Sequence, residues 1–193
     1  MTEEQPGTDG ANPVQAAVAS LVGTLPSGVL LADVVGPPPA PGEAAAYVPP
    51  THSLRTESRQ LLHDRALKDI ARLRFGFPTE KYRDYKTHVN HPARTMGVAL
   101  PDGRVAYPDI VVVQHPENNC KTIAEVETNE TVREAVARWE WAPYAELAPL
   151  YLYVPVGKGE EALALCRQLE IPVAGVRTWR YIAGYEDPEI NNV

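Results

Sequence analysis

Cysteine is almost missing from this chain: Cys120 and Cys166 are the only two in 193 residues. A disulfide framework is therefore not indicated, and two thiols cannot build a structural zinc site alone. No apolar run reaches the ~18–20 residues that span a bilayer. The start, MTEEQPGTDG, lacks the basic region that opens a secretory signal, so a cytoplasmic chain is the expectation. Neither a GxSxG elbow nor a P-loop is present, which argues against a serine nucleophile of that type and against ATP use within this chain.

Lysine and arginine are also absent from residues 1–50, which carry five acids and nine of the nineteen prolines. Residues 51–104 hold eleven basic and six acidic residues, and residues 105–193 hold seven and fourteen. A basic stretch followed by an acid-rich one suits a polyanion held beside a metal-binding carboxylate cluster; ordinary solvated helix faces give the same pattern. The segment VVGPPPAPGEAAAYVPP reads as an extended, polyproline-like linker, and NPVQAAVASLVGTL before it as a short helix with Asn12 as its cap. The expected organisation is an acidic, proline-rich arm over 1–52, disordered or extended and able to dock a protein partner, one domain over 53–185, and a tail over 186–193.

From Ser53 the pattern changes. SLRTESRQLLHDRALKDIARLRFGF places Leu54, Leu61, Leu62, Ala66, Ile70 and Leu73 near helical spacing, and Gly76 and Pro78 end the helix. Strands are expected over 81–89, 95–100, 104–113 and 122–128, with PDG at 101–103 and QHPENN as turns. NETVREAVARWEWAPYAEL reads as a helix capped by Thr128 or Asn129. PLYLYVPV, KGEEALALCRQLE and VAGVRTWRYI follow as strand, helix and strand. The fold class is α/β, a mixed sheet flanked by helices.

Acids interrupt the two most β-rich runs, YPDIVVV and KTIAEVET. Side chains alternate along a strand, so Glu125 and Glu127 project from one face. In a hairpin of these runs, residues whose numbers sum to an even value share a face, and Asp109 meets that condition with both. Three converging carboxylates repel unless protonated or bridged by a cation. Oxygen-only ligands of this kind suit Mg²⁺, Mn²⁺ or Ca²⁺ and not a thiolate-loving metal.

Pro108-Asp109, followed by Glu125-Val126-Glu127, resembles the two half-motifs of the PD-(D/E)xK nuclease superfamily, and residues 53–182 resemble its restriction-endonuclease-like αβββαβ core. The resemblance implies a metal-dependent endonuclease hydrolysing phosphodiesters of nucleic acid, DNA first. It implies metal ligation by Asp109 and Glu125 with the Val126 carbonyl, and an assisting acid on the first helix, Glu57 before Asp64. Glu127 stands where the superfamily carries lysine. Some restriction enzymes are similar in carrying Glu there, as ligand or general base, yet the water-activating role is put in doubt. Lys121 is about 13 Å from Glu125 at ~3.3 Å per residue, too far to substitute; Arg133 is the other candidate cation.

The phosphate-contacting set expected with such a site is Arg55, Arg59, Lys81, Arg83, Lys86, Arg94 and Arg133. His88 and His91, spaced HxxH, read as a DNA-contacting or exposed pair and not as a zinc site. Trp139 and Trp141 flank Glu140, and at least one packs on the sheet. No helix-turn-helix or zinc-finger motif is present, so base readout is weak or borrowed from a partner. Cutting both strands calls for two sites, which makes a homodimer one expectation. Two rivals stand beside the nuclease: a catalytically degenerate nuclease fold serving as a nucleic-acid-binding or assembly module, and an unrelated α/β binding domain with chance acids.

Overall fold

A computed structural model describes residues 56–193. The expected arm, the short helix capped by Asn12, and Arg55 lie outside those residues. Among the described residues, no helix is long and apolar enough to cross a membrane.

The first helix, α1 (Glu57–Arg74), starts with Glu57 in its first turn and ends with Arg72 and Arg74 in its last. That placement suits the partial charges of the helix ends. It buries His63, Ala66, Leu67, Ile70 and Ala71, one stripe at helical spacing. Leu61 is 66% exposed, Leu62 44% and Leu73 39%, so these three lie outside the stripe although their spacing is near helical. At ~100° per residue, Leu61 points away from Ile70 while His63 falls on its line. A histidine thus occupies a position that the stripe would fill with an apolar side chain.

Six strands form one sheet in the order β1-β4-β5-β6-β7-β8. They are β1 (Tyr85–Val89), β4 (Ile110–Gln114), β5 (Asn119–Val126), β6 (Leu150–Pro155), β7 (Val173–Arg180) and β8 (Glu189–Asn192). β1, β4 and β5 pair antiparallel; β6 lies parallel to both β5 and β7; β8 returns antiparallel to β7. β8 brings residues assigned to a tail into the sheet. The expected strand 104–113 is split at Pro108, which has no N–H to give a ladder. Its first part, β3 (Val105–Ala106), pairs instead with β2 (Val98–Ala99) in a separate hairpin. That hairpin turns through Gly103, whose φ of 84° favours glycine.

α1 covers the face formed by Ile110, Val112, Ala124, Val126 and Tyr153. Val111, Val113, Ile123, Leu150 and Leu152 face the other core, built with the hairpin and the remaining helices. The segment after β5 is α2 (Glu134–Val136), a π-helical turn (Ala137–Trp141) and α3 (Ala142–Leu147); α4 (Gly159–Gln168) joins β6 to β7. The expected helix cap at Thr128 or Asn129 is not used. Thr128 and Thr131 close a turn of their own, Thr128 N–H donating to Thr131 Oγ1 at 2.8 Å, and the helix starts only at Glu134.

Candidate metal centre

The start of β4 and the end of β5 meet at one rim of the sheet. Ile110 pairs with Ala124, so one step outward sets Asp109 opposite Glu125. The Asp109 N–H donates to Glu125 Oε1 at 3.0 Å, and the Val126 N–H donates to Asp109 Oδ2 at 2.9 Å. Val126 thus meets Asp109 through its N–H. Glu127, one residue past β5, is 1% exposed, and its Oε1 accepts from Trp141 Nε1 at 2.6 Å.

The hairpin parity brings the three expected acids to the same rim. Among the described residues, however, the trio that offers one carboxylate oxygen each, all within 4.8 Å of one another, is Glu125, Glu127 and Glu140. Asp109 is tied to that trio through Glu125. In the sequence Glu140 entered only as the residue between Trp139 and Trp141, with no role of its own. The π turn changes that geometry: Ala142 N–H reaches back five residues to the Ala137 carbonyl. The turn presents Glu140 and the fully buried Trp141 to the same site, and π turns of this kind recur at functional sites.

Burial, then the charges of Asp109, Glu140 and Glu127, push the Glu125 carboxyl well above its ordinary range. Burial first, and then Glu125, Glu140 and Asp109, likewise raise the Tyr144 phenol, against an opposing pull from Arg104. A carboxyl cluster in this state releases its protons when a cation offsets the repulsion. The donors are oxygens throughout, which fits Mg²⁺ or Mn²⁺ better than a soft metal.

α1 contributes a different residue from the one expected. Glu57 is exposed in the first turn, and six residues of rotation set it about 120° away from His63. His63 is wholly buried, with Nε2 at 3.1 Å from Asp109 Oδ2 and Nδ1 at 3.0 Å from Asp64 Oδ1. Asp64 also receives Gln60 Nε2 at 2.6 Å and stands 3.1 Å from His91 Nδ1. Asp64 thus reaches the site only through His63. The signal for His63 lay in the helical stripe, where it is the one polar member.

The basic candidates divide. Loops at the Asp109 end of the sheet carry Arg94, whose guanidinium lies 4.8 Å from the Tyr107 ring centre, and the exposed Arg133. Arg59 pairs with Glu130 in the turn after β5. Arg104, not a candidate from the sequence, lies 5.4 Å from the Trp139 ring centre. Lys81, Arg83 and Lys86 are exposed at the opposite end of β1, where Tyr85 pairs with Gln114. The HxxH pair also separates: His91 joins Asp64, while His88 stays on β1, its imidazole pKa lowered by burial and by Lys86.

No protein-family model matches this chain, and no curated protein or solved structure matches it either.

Proposed function

We propose that this protein is a divalent-metal-dependent endonuclease acting on nucleic acid, DNA first. The observation that carries the reading is the reciprocal tie between Asp109 and the Glu125–Val126 strand end, with Glu127 and Glu140 closing on the same carboxylate. The element order supports it. With the β2–β3 hairpin set aside, the chain runs α1, β1, β4, β5, helical segment, β6, an αβββαβ order with antiparallel strands first and a parallel strand after.

Asp109 and Glu125 are the principal ligands, and Glu140 completes the oxygen set. A bound Mg²⁺ or Mn²⁺ supplies polarisation of the scissile phosphate and a lower pKa for a ligated water. Glu127, its carboxylate oriented by Trp141 Nε1, would be the proton acceptor beside those ligands. Arg94, Arg104 and Arg133 supply phosphate contacts around the rim, while Lys81, Arg83 and Lys86 meet only a polyanion long enough to cross the sheet.

Nicking of supercoiled DNA in Mg²⁺ and then Mn²⁺ tests the proposal. Cleavage by the wild type that is lost in Asp109→Ala supports it; cleavage retained in that variant refutes the assigned site. One observation favours a second reading, the degenerate nuclease fold: Glu127 stands at the lysine position and is buried under Trp141. An inactive wild type with cleavage gained by Glu127→Lys would establish that alternative.

A further inference from the structure

We infer that His63 is a positioning residue that fixes the Asp109 carboxylate for metal binding, a role that rests on the metal-site reading above. Asp109 Oδ2 meets two groups at once, the Val126 N–H at 2.9 Å and His63 Nε2 at 3.1 Å. A carboxylate only accepts, so the Nε2 contact is a hydrogen bond in the ring forms that carry hydrogen on Nε2. Donors arriving from β5 and from α1 fix the plane of the carboxylate, and with it the direction in which Oδ1 is presented.

His63 is itself held. It has no exposed surface, its ring meets His91 edge-on with centroids 5.8 Å apart, and its other nitrogen lies 3.0 Å from Asp64 Oδ1. Gln60 Nε2 steadies that Asp64 oxygen at 2.6 Å. The order Gln60–Asp64–His63–Asp109 thus transmits the rigidity of α1 to the end of β4. A core histidine kept for packing alone would not need both nitrogens aligned with carboxylate oxygens, one of them across 46 residues of chain.

Two amide substitutions separate this role from packing. In His63→Gln the amide nitrogen stands where Nε2 stood and still reaches Asp109. In His63→Asn it stands where Nδ1 stood and reaches only Asp64. Both remove the ring, so a loss of packing is common to the two, and circular dichroism verifies that each is folded. The measurement is Mn²⁺ affinity of the full chain by calorimetry, with Asp109→Ala alongside.

Groups that orient metal ligands are worth roughly 10–100-fold in affinity, and His63→Asn is expected to lose that much while His63→Gln stays within about threefold of wild type. Equal Mn²⁺ affinity in the two variants overturns the inference, and so does a larger loss in Gln than in Asn. If Asp109→Ala binds Mn²⁺ like wild type, the metal-site reading itself falls and this role falls with it. If Asp109→Ala loses binding while Gln and Asn bind alike, only the His63 role is lost.

Discussion

Asp109 and Glu125 stand opposite each other across two antiparallel strands, and the backbone N–H of the first donates to the carboxylate of the second at 3.0 Å. Glu125 is 5% exposed, so that bond forms where water cannot replace it. The stability of the cation-free protein should then depend on pH with a definite sign. The Glu125 carboxyl is raised above its ordinary 4.5, first by burial and then by Asp109, Glu140 and Glu127. The folded state therefore keeps a proton that the unfolded chain releases first. Stability falls as pH climbs from about 4.5 toward the folded-state value, and levels off above it. Urea unfolding in EDTA across this range should show the slope in wild type and lose it in Glu125→Gln, which keeps an acceptor for the Asp109 N–H. A wild-type slope of the opposite sign would contradict the electrostatics.

Asn90 secures the other side of Asp109. Its Nδ2 donates to the Met96 carbonyl at 2.6 Å and the Pro108 carbonyl at 2.7 Å, while Oδ1 accepts the N–H groups of Thr95 and Met96 at 2.8 and 2.7 Å. Asn90→Ala leaves these buried backbone groups unmatched and should cost about 2–4 kcal/mol by urea denaturation. Asn90→Asp keeps the acceptor and forfeits both donors, so it should also destabilise. A change under about 0.5 kcal/mol for Asn90→Ala would mean that water satisfies the loop.

Trp141→Phe removes the Nε1–H from Glu127 Oε1 while leaving most of the ring packing in place. Hydrogen bonds to charged groups are worth about 1.5–3 kcal/mol, and an unfolding free energy lower by that amount is expected. The double variant Trp141→Phe/Glu127→Gln should recover part of the loss, because the neutral amide is cheaper to bury than a carboxylate. Purely additive losses in the double variant would show that the two side chains act independently.

Burial raises both thiols to about 11. At pH 8 only about one in a thousand of each is thiolate, so alkylation by iodoacetamide should be slow in the folded protein and rapid in urea. Fast modification of either cysteine under native conditions would contradict the packing around β5 or α4.

The rim at 107–128 was legible because it rests on period-2 alternation, which fixes faces from residue numbers alone. Asp109 and Glu125 fell opposite each other, an arrangement that the parity allowed. Residues whose placement depends on helix rotation were harder to read. Leu61, Leu62 and Leu73 resemble core members by composition, yet the buried stripe runs through His63 and Ala66. Glu140 depends on a π turn, and nothing in ARWEW distinguishes that turn from ordinary helix. β8 escaped because EINN is short and polar, and it is a strand only through pairing with β7. Local pattern placed the acids that strands carry; tertiary packing brought His63 and Glu140 to them.

The most direct test of the metal centre is an electron paramagnetic resonance titration of the full chain with Mn²⁺, wild type against Glu125→Ala. The account predicts saturable loss of the free Mn²⁺ signal in wild type, and a loss weakened by tenfold or more in the variant. A wild type that leaves all Mn²⁺ free, or a variant that binds it equally well, would contradict a cation held by Asp109, Glu125 and Glu140.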